Sequence, residues 1–353
     1  MRFKLLRSRD EITGLHDRLS SLVAGDATLS PRYFLASLEK HFEPRVVACF
    51  EEGQLVGLLY TAEASLLGLR TGFIFGGDSM GRGLVVAPPE REQDILTAAA
   101  DFLLQNGTHA MRLHWTPRSN VPQSSVASKL PDARVQQILD IHPEGDWLRL
   151  QPTYDGFLAH LGPHTRRNLR YYRRKVQAAG YAYTGILQPE LLSPALQSLN
   201  QLADYPMDQA RLDRDRRFFA AFGTPMVAGL RDAQGQFISL VTGFTDGPHL
   251  HILTQLNGES EALRKLSISL VLRGYVIEDF IARGITAVHF IHGSSPMLGR
   301  FCEPVHLQII SIDARHAWMT PLKKFCSSLA EVFKRNGRRV PYRLQRCAGS
   351  YLE

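Results

Sequence analysis

RVVACFEEGQLVGLLYTAE, residues 45–63, and MVAGLRDAQGQFISLVTGF, residues 226–244, share one design. Each is an apolar run, a short turn bearing an acid and a glycine, and a second apolar run. That pattern predicts a strand, a tight turn and a returning strand. The correspondence extends outward. ADFLLQNGTHAMRLHW (100–115) parallels EDFIARGITAVHFIH (278–292). In each, a helix end is closed by glycine, Gly107 or Gly284, and a strand follows; glycine suits the left-handed residue after a helix because it has no Cβ. Before the first hairpin the pattern predicts helices at 10–23 and 31–41, the second opened by Ser30-Pro31 as N-cap and first helical residue. Before the second hairpin it predicts helices near 190–204 and 208–222. After each hairpin come a further strand, a long helix (89–106 and 263–283) and a strand. A helix near 317–335 closes the chain. The chain reads as two copies of one α/β unit, 1–150 and 151–353.

A length of 353 residues suits two such units better than one core. At 44% hydrophobic and 21% charged, the composition is that of a globular protein and excludes a fibrous or disordered chain. No uninterrupted apolar window reaches about 18 residues, so no membrane-spanning helix is expected. The N-terminal MRFKLLRSRDEITGLHD is charged and lacks the apolar stretch of a secretory signal. Cys49, Cys302, Cys326 and Cys347 are scattered without a CxxC pair, which supports neither a zinc ribbon nor a disulfide framework. The expected compartment is the reducing cytoplasm. HExxH and paired metal ligands are absent from the sequence, so no metal is expected.

Charge is unevenly shared. Residues 1–150 have a net charge of −2 and residues 151–353 of +9. The excess concentrates in the tail, KRNGRRVPYRLQR, and in HTRRNLRYYRRKVQAAG (164–180), which has six basic residues and no acidic one. On a helix, Arg166, Arg170, Arg173 and Arg174 share one side, while Leu169, Tyr172 and Val176 form a packing side. Thr165 is placed to cap this helix and Gly180 to end it. Arginines three and four apart repel, so either an anion offsets them or the face is simply solvated. Arg166, Arg167, Arg170, Arg173 and Arg174 are the candidate contacts to an anionic substrate.

The order of helices, antiparallel hairpin, strand, helix and strand is similar to the ground plan of the GNAT acyltransferase fold. FLAHLGPHTRRNLRYYRRKVQAAG (157–180) resembles the signature of the acetyltransferase domain of cellulose-biosynthesis-type (CelD-like) proteins. That domain is related to the Fem-type peptidoglycan aminoacyltransferases, which also use tandem GNAT-like units. The resemblance continues through LSISLVLRGYVIEDFIARGITAVHFIHGSSPMLGRF (266–301) and covers roughly residues 155–315.

The resemblance implies an acyl-CoA co-substrate held between two strands that splay apart, HLHILTQL (249–256) and AVHFIH (287–292), with its pyrophosphate at the start of the following helix. The superfamily loop [RQ]-x-x-G-x-[GA] falls on Arg264, Ser267 and Ser269. Arginine matches and serine replaces both small residues, which removes glycine's backbone freedom at Ser267. Gln255, on the first splaying strand, joins the cofactor-binding set. His289 occupies the place of a family aspartate, and His292 ends the strand where open α/β sheets hold ligands; both are candidate bases. Met297-Leu298 replaces a family Tyr-Lys, while Arg300 and Phe301 remain. A packed, satisfied histidine is the alternative for each His. GGDSMGRG (76–83) fits neither a P-loop nor a dinucleotide fingerprint and reads as a loop bordering an acceptor groove.

The implied activity is transfer of an acyl group from acyl-CoA to an amine or hydroxyl of a small-molecule, sugar or cell-envelope precursor. The alternatives are a Fem-type transferase using aminoacyl-tRNA and a catalytically silent module binding RNA or an anionic polymer.

Overall fold

The computed structural model describes residues 1–314 apart from 24, 67–68, 79–80, 119–125, 186–191, 204–205, 292 and 294–295. The helix expected near 317–335 and the basic tail lie outside the described residues, as does His292. The first half comprises β1 (Arg2–Leu6), α1 (Arg9–Thr13), α2 (His16–Val23), α3 (Pro31–Ser37), β2 (Phe42–Pro44), β3 (Val46–Glu51), β4 (Gln54–Leu59), β5 (Thr61–Leu66), β6 (Leu69–Gly76), β7 (Val85–Val86), α4 (Glu92–Gln105), β8 (Ala110–Trp115) and β9 (Ala133–Arg149). The second comprises α5 (Tyr154–His160), α6 (Pro163–Ala178), β10 (Ala182–Thr184), α7 (Leu192–Asn200), α8 (Gln209–Phe222), β11 (Pro225–Arg231), β12 (Phe237–Asp246), β13 (His249–Asn257), α9 (Glu261–Arg264), α10 (Ile268–Ala282), β14 (Ala287–Phe290), α11 (Pro296–Gly299) and β15 (Glu303–Ala314).

Both hairpins form where expected. In the first, Glu52 and Gly53 sit at φ +51° and +82°, the paired left-handed residues that match a turn to the twist of its strands. Ser30 caps α3, its hydroxyl accepting the Tyr33 N–H at 3.2 Å. Three helices differ from expectation. The 10–23 helix is broken into α1 and α2, and α3 ends at Ser37, where Leu38 turns extended. The 263–283 helix is split into α9 and α10 at Ser267, which takes the left-handed conformation (φ +46°, ψ +45°).

One small sheet has the order β1-β3-β4-β7. The large sheet has the order β10-β11-β12-β13-β14-β9-β15-β8-β6-β5-β2. Its two parallel pairs are β13 with β14 and β6 with β8; all its other described ladders are antiparallel. A parallel pair cannot be joined by a hairpin and needs a crossover. The crossover helices are α9–α10 in the second half and α4 in the first, so each half repeats the same strand–helix–strand design.

The halves interlock at the centre of this sheet. β9 lies between β14 and β15, both from the second half. β15 lies between β8 and β9, both from the first. The sheet is therefore continuous across residue 150.

Apolar packing follows the same plan. Val271, Leu272, Val276 and Phe280 of α10 cover Leu250, Ile252, Val288 and Phe290 on one face of β13 and β14. Ile95, Leu96 and Leu103 of α4 cover Met111 and Leu113 of β8 and Ile310 and Ile312 of β15. A third cluster joins the halves: Tyr33 and Ala36 of α3 pack with Phe218 of α8, Phe244, Leu253 and Ile291. Each large side chain buried this way contributes about 1.5–3 kcal/mol.

A fragment of residues 1–150 would lack β15, and β8 and β9 would each lose a long partner. Expressed alone it is expected to be insoluble or to show no cooperative thermal transition, whereas the full chain unfolds cooperatively. Circular dichroism melts of the two compare them directly, and a stable, monomeric fragment would contradict the interlocking account.

Candidate functional site

β13 and β14 run side by side over only four residues, His249–Ile252 opposite Ala287–Phe290. The Ile291 N–H still donates to the Ile252 carbonyl at 3.1 Å, and beyond that point the strands part. A register shift between Thr242 and Gly243 opposite this point inserts Leu253 into β13 and bends it. β13 stays paired with β12 as far as Asn257, so its other edge is open over 254–257. α10 begins above this opening. Ser267 turns the chain so that its own carbonyl receives the Leu270 and Val271 N–H groups, at 3.0 and 3.1 Å, while its side chain makes no cap. The earliest N–H groups of α10 belong to the end of a helix dipole that attracts anions.

Side chains on both walls are tied together. Gln255 donates from Nε2 to the Ser269 carbonyl at 3.2 Å and accepts at Oε1 from Arg273 Nε at 2.7 Å. Thr254, Gln255, Asn257, Ser267 and Ser269 are partly exposed along the cleft. Arg264, at the end of α9, lies on the surface, with Nε 2.9 Å from Glu259. An exposed pair of this kind contributes only about 0–1 kcal/mol, so Arg264 can exchange its partner at little cost. The structure thus brings Gln255, Ser267 and Ser269 together at one opening and leaves Arg264 at its rim.

The opposite face of the same strands holds a buried polar chain. His289 and His251 face each other across the parallel pair, with their Nδ1 atoms 3.1 Å apart. His289 Nε2 donates to Asp146 Oδ2 at 3.3 Å. Arg82, from the glycine-rich loop, grips Asp146 with two bonds of 2.9 and 3.0 Å. His251, His289 and Asp146 have no exposure to solvent. Trp147 stacks on His289 at 4.7 Å, and Phe244 stacks on His251 at 4.7 Å. Burial raises the Asp146 pKa, but hydrogen bonds from His289 and Arg82 outweigh it and hold the carboxyl well below the usual range. Burial drives the His251 pKa well below its ordinary value, with His289 and His249 adding to the effect, so His251 is neutral. One proton then lies between the two Nδ1 atoms, and His251 Nε2 has no partner among the described residues.

This arrangement corrects the expectation for His289. Alternation along β14 places it off the α10 face, as expected, but the other face is closed too: Trp147 stacks on the ring, His251 and Asp146 occupy its two nitrogens, and the side chain has no exposure to solvent. An acceptor cannot reach it, and its contacts make it a positioning group for Asp146. The glycines of the loop serve close approach. Gly77 (φ +76°) lies so near the His114 carbonyl that no Cβ would fit. Sequence reading singled out the loop but not Arg82 or Asp146, because their pairing spans 64 residues.

A second buried group sits where β13 bends. Asp215 of α8 accepts from Thr242 at 2.6 Å, from Thr254 at 3.4 Å and from Arg214 at 3.1 Å, and Arg214 also donates to Thr254 at 2.8 Å. It anchors α8 to the cleft strand.

The basic helix is α6. It begins at Pro163 behind Gly162, so Thr165 is not its cap; Thr165 is buried and its hydroxyl accepts from Arg300 at 2.7 Å. Leu169 and Val176 pack inward as expected. Arg173 does not join the free cationic face. It pairs with Glu278 at 2.6 Å and lies 4.0 Å from the Tyr275 ring centre, because its place on the helix brings it against α10. Arg167, Arg170 and Arg174 are exposed and Arg166 is half-buried, and none has an ion-pair partner among the described residues. Leu169 meets Gly274 and Arg173 meets Glu278, so α6 and α10 run in the same direction. The first turn of α6, with Arg166, therefore comes level with the first turns of α10.

Residues 163–297 match the family described as Acetyltransferase (GNAT) domain. No curated protein matches the chain. Among solved structures, FemX is similar at 11% identity and a TM-score of 0.56, covering 92% of this chain and 99% of its own. A tandem GNAT protein from the clavulanic acid biosynthesis pathway is similar at 14% identity and a TM-score of 0.51, covering 88% and 97%. L-PGS from Bacillus licheniformis is similar at 11% identity and a TM-score of 0.50, covering 92% and 97%. The fold is thus the GNAT fold, in the tandem form that the repeated hairpins predict. No helix among the described residues is long and apolar enough to cross a membrane.

Two outcomes test the site. Because His251 is held neutral, the unfolded chain takes up a proton as pH falls through about 6.5 while the folded chain does not. Stability from this source is present above about pH 6.5 and is lost below it, by up to about 1.4 kcal/mol per pH unit. Denaturant titrations from pH 7 to 5 should show this slope in the wild type and a shallower one in His251→Phe. For α6, Arg173→Ala should lower stability by about 1 kcal/mol, since its ion pair is partly screened and its ring stacking is lost. Arg170→Ala should lie within about 0.5 kcal/mol of wild type. Equal melting temperatures for the two variants would contradict the distinction.

Proposed function

We propose that this protein is an acyltransferase that takes an acyl group from acyl-CoA, such as acetyl-CoA, bound in the cleft between β13 and β14. The acceptor is an amine or hydroxyl of a small-molecule, sugar or cell-envelope precursor, entering from the side of the first half. The observation that carries this reading is the parting of a four-residue parallel pair directly below the start of α10. An extended thioester arm can pair with the open edge of β13, and its pyrophosphate then meets the α10 N-terminus. Ser267 already has the backbone conformation that a glycine would supply at that position. Arg264 at the rim and Arg166, Arg167, Arg170 and Arg174 on α6 add positive charge on the same side. The Arg-rich α6 supports membership of the CelD-like and Fem-type branch.

In this reading the acceptor attacks the thioester carbonyl, and backbone N–H groups at the open edge of β13 stabilise the oxyanion that forms. The carbon–sulfur bond then breaks and CoA leaves as thiolate. An ammonium acceptor must first lose its proton. Neither His289 nor His251 can receive it, being sealed from solvent. His292 follows Ile291, whose N–H marks the parting point, and we assign the base role to it.

Calorimetry with acetyl-CoA tests the donor. Arg264→Ala should weaken binding about 10- to 150-fold, the equivalent of a charge-assisted contact of about 1.5–3 kcal/mol. Ser267→Gly should be neutral or tighten binding, because it removes the left-handed strain of a non-glycine residue. Ser267→Leu should abolish binding while circular dichroism stays native. Where binding is retained, His292→Ala should lower kcat more than KM. Absence of saturable acyl-CoA binding at millimolar concentration would reject the donor; aminoacyl transfer from charged tRNA would then establish the Fem-type alternative, and salt-steep tRNA binding without transfer the catalytically silent one.

A further inference from the structure

One cation in the cleft has no counter-charge among the described residues. Arg273 projects from α10 between the two parting strands. Its Nε is held by the neutral amide oxygen of Gln255 at 2.7 Å, and its guanidinium carbon lies 4.9 Å from the Phe290 ring centre. Gln255 is itself fixed by the Ser269 carbonyl, so it presents its oxygen to Arg273 rather than turning away. Arg273 Nη1 is shielded from solvent and has no hydrogen-bond partner among the described residues, and no acid pairs with the guanidinium there. The nearby Cys302 thiol is buried and donates to the Leu298 carbonyl at 3.5 Å. A shielded guanidinium N–H left unmade costs more than an ordinary hydrogen bond returns. Such an arrangement persists where a ligand completes it. In agreement, burial holds the Arg273 pKa down at about 10, still well above neutrality, so the side chain is charged.

The position of Arg273 along the cleft indicates which part of a ligand it meets. It lies six residues beyond Ser267, about 9 Å down the helix axis at 1.5 Å per residue. Phe290, on which it rests, is the last residue of β14 paired with β13. Arg273 is therefore level with the point where the strands part, where the thioester sits in the proposed reading. The pyrophosphate, at the helix N-terminus, is too far up the cleft to reach it. We infer that Arg273 binds a carboxylate at the reacting end of the cleft and thereby selects a carboxylate-bearing substrate. The inference rests on the donor site proposed above. The carboxylate is either the far end of the acyl group, as in a dicarboxylic monothioester, or the carboxylate of an amino-acid acceptor.

Two arms of one experiment separate these sources. In the first, calorimetry compares succinyl-CoA with butyryl-CoA, which has the same chain length and no charge. In the second, acetyl transfer is compared between amino acids and the amines that lack their α-carboxylate, for example lysine and cadaverine. Wild type should prefer the carboxylate about tenfold or more in one arm, the return from a charge-assisted bond. Arg273→Met should abolish that preference while circular dichroism stays native and acetyl-CoA still binds. Arg273→Lys, which keeps the charge, should retain part of it. If acetyl-CoA binds but neither arm shows a preference that depends on Arg273, this inference is overturned and the donor site stands. If no CoA thioester binds at all, the donor reading falls and the inference falls with it.

Discussion

Asp146 carries a negative charge with no exposure to solvent, and the rest of the molecule is arranged to answer that charge. Arg82 does so from the glycine-rich loop of the first half, with two bonds, and His289 does so from β14 of the second. Removing one partner from a buried pair of this kind costs about 3–5 kcal/mol, because the other charge is left in a medium that cannot solvate it. The cost links the halves. Neither can move away from β9 without exposing or orphaning the carboxylate, and the aromatic faces of Trp147 and Phe244 close the chain of polar groups on either side.

The same junction governs the cleft. β14 is held to β9 at Ala287–His289, just below the residue where it parts from β13. β13 is held to β12, and Asp215 pins its bend to α8 through Thr242 and Thr254. With each strand fixed to a different neighbour, the opening between them is part of the fold. It does not depend on a ligand to pry it apart. The buried histidines lie behind this opening, bonded to each other and through His289 to Asp146.

The two halves use one design for different ends. Each has a parallel pair joined by a helix, and in each the strands are flanked by a hairpin. In the second half the start of the crossover helix is open, with Ser267 and Ser269 partly exposed. In the first, Glu92 opens α4 but is buried and bound by Arg118 through its side chain and backbone, so the corresponding helix start is occupied by the protein itself. Charge follows this division, with the basic surplus falling on the half whose helix start is free.

Local chemistry was legible from the sequence. The two hairpins, the Ser30 cap, the helix-closing glycines and the tandem plan all rest on interactions within about ten residues, where spacing and residue type decide conformation. So did the alignment of Arg264, Ser267 and Ser269 with the start of a helix and the packing side of α6. What could not be read there depends on which distant surfaces meet. Alternation put His289 off the α10 face, but only the docking of the first half turned that side into a sealed interior. Arg173 looked like its neighbours on α6 until α10 brought Glu278 and Tyr275 against it. Arg273 reads as one polar residue in an apolar helix, and its isolation is visible only once β13 and β14 surround it. Spacing along a chain fixes which face a side chain occupies; whether that face meets water, a counter-charge or another wall of protein is set by contacts distant in sequence, 105 residues for Arg173 with Glu278 and 143 for His289 with Asp146, separations that close only in the folded state.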